Sequence, residues 1–370
     1  MSLLEKLRHL NWAFVGIVVL VAAVGYAMLY SAGGGDHGPW AWRHSVRFGV
    51  GLGAMLVIAL IDVRIWFRFA YPIYAAALLG LVAVEVIGSV SMGAQRWINL
   101  GLFQLQPSEV MKIGLVLALA RYFHGAYLED VGRLPFLAVP ILMIAAPAVL
   151  VLKQPDLGTA VMLIAGGAAL MFLAGVRWWK FALVFGAVVS ALPLIWQRLH
   201  GYQKQRVMTF LDPERDPLGA GYHIIQSKIA LGSGGMWGKG FLEGTQSQLS
   251  FLPEKQTDFI FTMLAEETGL MGALGLLGLF MLLVALGLAF ARRARSQFAR
   301  LLAMGAILTF FLYVVINVSM VTGLIPVVGV PLPMISYGGT AMITVLTGFG
   351  LLLSVDLHRE VAIPRFPVER

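Results

Sequence analysis

Ten apolar runs dominate this sequence of 370 residues. They fall at about 12–31, 45–61, 66–88, 107–123, 134–152, 158–176, 180–197, 270–291, 301–322 and 336–355, each roughly 17 to 25 residues and so long enough to cross a bilayer as a helix. Lipid offers the backbone no hydrogen bonds, so each crossing run must satisfy its own N–H and C=O groups, which a helix does. The expected fold is an all-α polytopic membrane bundle of about ten spans, with 1–370 forming one integral-membrane domain. With 59% hydrophobic and 12% charged residues, no water-soluble surface of ordinary polarity can be drawn around the chain. Its 42 glycines and 16 prolines are scattered through the apolar tracts, where membrane helices tolerate them. The first run exceeds a signal-peptide core and lacks a convincing cleavage site after it, so it reads as a retained helix. No repeat relates the two halves, which weakens an inverted-repeat transporter reading.

Basic residues set the orientation. Alternate short connections carry Lys6, Arg8, Arg64, Arg68, Arg133, Arg177, Lys180, Arg292, Arg293, Arg295 and Arg300, and the tail adds Arg359, Arg365 and Arg370. The opposite short connections carry Arg43, Arg96 and Lys153. By the positive-inside rule both termini are cytoplasmic, and the long segment of about 198–257, between spans seven and eight, lies outside. The same distribution explains the net charge of +8 without a nucleic-acid partner, because the cations are spread between apolar runs rather than gathered on a polar face. The outer segment sets Tyr222, Ile224, Ile225, Ile229, Trp237, Phe241 and Phe251 among glycines and polar residues, a pattern for short helices against the membrane surface. Residues 259–268 continue it as an outer interfacial piece, with a break at Gly269 before the eighth span.

An ionisable group inside an apolar span costs a few kcal/mol, so each needs a partner or a task. Arg47, Glu85, Glu109, Lys112 and Arg121 meet that description. The first four fall toward the outer ends of their helices, on the side of Arg96, Asp156 and the long segment, whereas Arg121 sits at an inner end as a snorkelling anchor. Glu109 and Lys112 are three apart and share a helix face; they form either a structural ion pair or one wall of a polar cavity. Asp156, within Gln154-Pro155-Asp156-Leu157-Gly158, is placed to cap the sixth span or to touch substrate or metal. Asp258 is the choice for catalysis. It stands where the outer segment returns to the membrane, before Phe259, Ile260 and Phe261; burial would raise its pKa and Lys255 or Arg96 would lower it, a tension suited to a general base. The plainer reading makes it a helix N-cap. Glu266 and Glu267, at the end of the interfacial piece, are expected to be wet, and Arg206, Lys228 and Lys239 are candidates to clamp a phosphate-bearing headgroup.

Residues 323–333, GLIPVVGVPLP, are apolar but cannot be helical with three prolines, and Ser336 is the expected cap of the last span. Several chemistries are missing. There is no cysteine for thiolate or disulfide work, no Asp-x-Asp pair and no His-Glu-x-x-His. Residues 232–240, GSGGMWGKG, imitate a phosphate loop but have Ser233 where a glycine is required and Gly240 where Ser or Thr would bind magnesium. A reaction here must take its energy from an activated substrate.

Five ordered motifs then carry a family resemblance. They are Gly93-Ala94-Gln95-Arg96-Trp97-Ile98, Gln106-Pro107-Ser108-Glu109 with Lys112, Gln154-Pro155-Asp156-Leu157-Gly158-Thr159, Leu252-Pro253-Glu254-Lys255-Gln256-Thr257-Asp258-Phe259-Ile260-Phe261, and Ile335-Ser336-Tyr337-Gly338-Gly339. Together they resemble the SEDS family (shape, elongation, division and sporulation) over nearly the whole chain, and Val327 to Pro333 is similar to its elongation branch rather than its division branch. The resemblance implies a peptidoglycan glycosyltransferase of the bacterial cytoplasmic (inner) membrane that joins lipid II units on the periplasmic or exterior side. It implies Asp258 as the essential carboxylate, acting as base, metal ligand or both, and a divalent cation, magnesium or manganese. It matches Glu109 and Lys112 to the Glu and Lys of the family's fourth helix. Read from the residues themselves, the further candidates to bind substrate or line the cavity are Arg47, Arg96, Gln154, Asp156, Arg206, Lys239, Lys255 and Ser336. Implied partners are a class B penicillin-binding protein as transpeptidase, membrane lipid and other elongation-complex proteins. Two rival functions fit many spans and an outer cationic cavity: a lipid II flippase and a non-catalytic scaffold for the transpeptidase.

Overall fold

The computed structural model describes residues 2–365 except 39, 92–93, 100, 102–103, 128, 199–200, 214–219 and 249–253. In chain order the described residues form α1 (Leu3–His9), α2 (Trp12–Ala32), α3 (Ala41–Leu60) and α4 (Val63–Ile87). A small antiparallel sheet follows, β1 (Ser89–Ser91), β2 (Ala94–Asn99) and β3 (Gln104–Leu105), in the order β1-β2-β3. Then come α5 (Pro107–His124), α6 (Leu134–Lys153), α7 (Leu157–Leu173) and α8 (Trp178–Arg198). Three shorter helices, α9 (Gly201–Leu211), α10 (Ala220–Ser233) and α11 (Thr245–Gln248), lead to α12 (Ile260–Arg293), α13 (Gln297–Val321) and α14 (Gly339–Leu357).

The architecture is the all-α, polytopic membrane fold expected from the apolar runs. Among the described residues seven helices, α2, α3, α4, α6, α12, α13 and α14, are long and apolar enough to cross a membrane. The other three runs fold as α5, α7 and α8; α7 and α8 are apolar over shorter stretches, and α5 carries Glu109, Lys112 and Arg121. Exposed apolar side chains on α8, such as Leu183, Phe185 and Leu192, need lipid as their solvent. The sheet was not expected. Its strands are too short to cross, and Ile98 pairs with Leu105 and Asn99 with Gln104 just ahead of α5; β2 brings Arg96 to the residues that precede α7.

The core lies on α5, α13 and α14. α5 starts with Pro107 at its first position, where a missing N–H costs nothing, and is buried on nearly every face. α7 is capped by Asp156, whose carboxylate accepts from the Thr159 N–H at 3.1 Å and the Thr159 hydroxyl at 3.0 Å.

α12 breaks at Gly269, where φ is 68° and ψ −168°. Residues 234–240 dock into that break backbone to backbone. The N–H groups of Lys239 and Gly240 donate to the Glu266 and Glu267 carbonyls at 3.0 and 3.1 Å, and Leu270 N–H donates to Gly235 O at 2.9 Å. A Cβ on Gly238 (φ 81°) would lie 2.1 Å from the Glu267 carbonyl oxygen, so glycine is obligatory there. The glycine-rich loop is therefore a packing surface. Glu266 and Glu267 are not wet, as the sequence suggested, but fully buried at 0% and 1% exposure beneath this loop. Glu266 accepts from the Lys239 amine at 2.8 Å and from Gln246 N–H at 2.9 Å, and Glu267 accepts from the Ser31 hydroxyl of α2 at 2.5 Å. Those pairings meet the demand that a buried polar group be compensated; the Glu266 bonds pin the loop to α12, and the Glu267 bond ties α12 to α2.

The proline-rich connection 322–338 is held by contacts from many elements. A Cβ on Gly25 of α2 would meet Met334 O at 2.3 Å, and one on Gly158 of α7 would meet Val328 O at 2.7 Å. Ser336 does not cap the last helix. α14 starts at Gly339 after an N-cap Gly338 with no side-chain bond, while the Ser336 hydroxyl donates to Thr257 O at 2.6 Å and accepts from Leu332 N–H at 2.7 Å. Pulling the Asp258 turn onto the connection takes precedence over capping.

Candidate functional site

Three polar groups meet around α13. On α5 the Lys112 amine lies 2.8 Å from Glu109 Oε1, and both side chains are buried. The sequence spacing allowed this pair but not its third member, Tyr313. Its hydroxyl accepts from Lys112 and donates to Glu109 Oε2, both at 2.5 Å, and the amine sits 4.3 Å from the ring centroid. The result is a closed triangle of charge-assisted bonds inside the bundle.

The second group gathers at the start of α7. Arg96, from β2, donates to Gln154 O at 3.2 Å and Pro155 O at 2.5 Å, with its Nε 4.0 Å from an Asp156 carboxylate oxygen. Gln154 is buried and donates to Leu81 O of α4 at 3.0 Å. Asp156 therefore caps its helix and also faces an arginine.

Asp258 forms the third. It sits in the turn 254–259 just before α12, whose N-cap is Phe259, so the capping alternative falls. The turn is tied to the proline-rich connection: Tyr337 N–H donates to Gln256 O at 2.8 Å, Ser336 to Thr257 O, and Asn317 Nδ2 to Asp258 O at 3.0 Å. Gly329 faces the carboxylate, and a Cβ there would stand 3.4 Å from Oδ2. Among the described residues the Asp258 carboxylate accepts no hydrogen bond. Burial and then the Glu254 carboxylate push its pKa up to about 6. Burial also lowers the Lys255 amine, against an opposing pull from Glu267.

The groups share a frame. Tyr313 and Asn317 are four residues apart on α13, hence on one face about 6 Å apart along the axis. Gly158 abuts Val328 while Gly329 abuts Asp258, so the 322–338 connection lies between the α7 cap and the Asp258 turn. Arg47 stands at the start of α14, its guanidinium 4.7 Å over the Tyr337 ring, with no ion pair among the described residues. An apolar hollow of about 510 Å³ lies among α10, α12 and α13, lined by Met236, Phe261, Leu274, Leu277, Val318 and others; Phe261 follows Asp258 by three residues.

Other expected residues stand apart. The Lys239 charge is spent on Glu266, Glu85 is exposed on α4, and Arg206 belongs to α9 with its side chain outside the described residues. Lys255 is partly buried in the Asp258 turn. Tyr313 and Asn317 were missed, although Thr309, Tyr313 and Asn317 recur every fourth residue in an apolar span, a polar stripe that sequence alone displays.

A multi-pass membrane bundle that holds a half-buried carboxylate without a hydrogen-bond donor among the described residues, together with buried paired charges, defines a class of membrane protein with a polar working site. The comparisons narrow it. The family pattern described as Cell cycle protein, FTSW_RODA_SPOVE, matches residues 4–361, and the chain belongs to that family. It is 46% identical over 356 residues to the Escherichia coli K12 "Peptidoglycan glycosyltransferase MrdB", covering 95% of each chain. It is 36% identical over 372 residues to the "Probable peptidoglycan glycosyltransferase FtsW" of Trichlorobacter lovleyi, covering 96% of each. The crystal structure of Thermus thermophilus rod shape determining protein RodA matches with TM-score 0.72 and 31% identity over 95% of this chain and 98% of that one. A chain from "Structural coordination of polymerization and crosslinking by a peptidoglycan synthase complex" matches with TM-score 0.82 and 37% identity, covering 95% of this chain and 98% of that one.

Proposed function

We propose that this membrane protein is a peptidoglycan glycosyltransferase of cell elongation that polymerises lipid II, with Asp258 as its general base. The observation that carries the role of Asp258 is its partly buried carboxylate, which accepts no hydrogen bond among the described residues and faces Gly329 of the proline-rich connection. A structural carboxylate finds donors, as Glu109, Asp156, Glu266 and Glu267 do. Asp258 takes the proton from the 4-hydroxyl of the acceptor sugar as that oxygen attacks the donor's anomeric carbon. The bond from that carbon to the diphosphate breaks, and the single displacement inverts an α-linked donor into a β-linked glycan.

The departing diphosphate gathers negative charge and needs cations placed in advance. Arg47 suits that task, since it has no ion pair among the described residues and stands at the uncapped start of α14. Lys112 and Arg96 hold the walls in shape through Glu109 and the Gln154-Pro155-Asp156 turn. The polyprenyl tail fits the apolar hollow lined by Phe261, Leu274 and Leu277, so the donor enters from lipid. Among the described residues no three carboxylate or imidazole groups gather. Asp258 and Glu254 nonetheless suit magnesium or manganese, because such ions take one or two carboxylates and complete their shell with phosphate oxygens and water. An ion held there would supply positive charge to offset that of the diphosphate.

In this reading the site faces the periplasm or exterior from the cytoplasmic membrane, a side supported by the distribution of basic residues between the short connections. A class B penicillin-binding protein is the partner that crosslinks the product, in keeping with the solved relative whose description couples polymerisation to crosslinking. Other elongation-complex proteins and surrounding lipid complete the partner set. Purified protein given lipid II, with its transpeptidase, tests the reading: glycan polymer is expected, and passage of lipid II between leaflets without polymer would favour a transporter. The pH dependence is a second check. Asp258 works as its ionised form, so activity is lost as pH falls through the raised pKa, and kcat/KM is expected to show an acidic limb with midpoint at about 6. A midpoint near the ordinary aspartate value of about 4 would remove the base assignment.

A further inference from the structure

We propose that Asn317 is a positioning residue for Asp258, clasping the Asp258 turn to the proline-rich connection with both hydrogens of one buried amide. The inference rests on the reading of Asp258 as general base. Asn317 is fully buried, at 0% exposure, near the end of α13. Its Nδ2 donates to Asp258 O at 3.0 Å and to Val330 O at 2.7 Å, carbonyls from separate segments of the chain. A side-chain amide has two such hydrogens, and both are in use.

Core packing alone gives no reason for this residue. The Oδ1 atom of Asn317 is buried with no partner among the described residues, so the position bears an unsatisfied acceptor that leucine would avoid. What asparagine provides and leucine cannot is the pair of donations. Serine could supply one of them.

The location matters as much as the bonds. Val330 follows Gly329, the residue facing the Asp258 carboxylate, so the clasp closes the slot that holds the reacting oxygens. One turn back on α13, Tyr313 binds Glu109 and Lys112. A single rigid helix therefore fixes the spacing between the base and the buried charge pair. Because a misplacement near 1 Å costs about a hundredfold in rate, loosening the clasp acts on turnover before binding.

The test compares Asn317→Ala and Asn317→Ser with wild type in lipid II polymerisation, alongside Asp258→Asn. Turnover is expected to fall about tenfold or more in the alanine variant and less in the serine variant, with KM within about twofold. A structural role alone would lower the melting temperature and leave turnover per folded protein at the wild-type value in both variants; that result overturns the proposal, as does failure of both variants to accumulate folded. An active Asp258→Asn would remove the base reading and this inference together. An inactive Asp258→Asn beside wild-type kinetics in Asn317→Ala would remove only the inference.

Discussion

Asp258→Asn is expected to abolish glycan polymerisation while leaving protein abundance, melting temperature and transpeptidase binding at wild-type levels. The substitution keeps the size of the side chain and removes its basicity. Among the described residues the carboxylate accepts no hydrogen bond, so nothing in the fold is lost with the charge. Relief of burial and of the Glu254 repulsion that raises its pKa would, if anything, favour the folded state. General-base catalysis is worth about 10² to 10⁴ in rate, and loss of a metal ligand at the same atom would add to it. The measurement is polymer formed from lipid II by purified protein, read with folding and partner capture from one preparation. Polymer at a tenth or more of the wild-type rate (roughly, against that range) would reject Asp258 as base and as ligand.

The second large effect concerns the triangle of Glu109, Lys112 and Tyr313. Lys112→Met leaves Glu109 buried without its cation, and removing one partner of a buried pair costs about 3–5 kcal/mol. Folded protein is expected to fall sharply in the single variant. The double variant Glu109→Gln/Lys112→Met removes both charges together and should recover most of the stability, since apolar or neutral replacement of a whole pair is often nearly neutral. Polymerisation should stay lost in the double variant, because the shaped wall beside Tyr313 and the Asp258 turn is gone. A cycle of thermal stability and activity across the four proteins separates the two roles. Recovery of both in the double variant would reduce the pair to a structural one.

What sequence revealed followed how local each feature is. Apolar runs need only a length argument, and they foretold the helices. Asp156 as a cap and Glu109 with Lys112 as a pair were legible because their partners lie within three residues. Gly269 was readable as a break because the apolar run across it is too long for one helix. Contacts between distant segments were not legible. Tyr313 lies 204 residues from Glu109, and Ser31 lies 236 from Glu267. Ser336 looked like a cap because no local rule says that Thr257 will be brought to it. Glu266 and Lys239 were assigned to water and to phosphate for the same reason: each looked unpaired until folding made them partners. The strand around Arg96 escaped because a six-residue run beside a bundle carries too weak a pattern.

The proline-rich connection touches α2 at Gly25, α7 at Gly158, α13 at Asn317 and the Asp258 turn at Ser336. A segment braced from so many sides, with no helical hydrogen-bond ladder of its own, keeps its shape only while every brace is seated. Warming or detergent that slackens any one of those helices will misregister the reacting carboxylate while the bundle is still whole. Inactivation of this protein should therefore set in at a lower temperature than unfolding, and preparations that look intact by size or spectrum can already be silent.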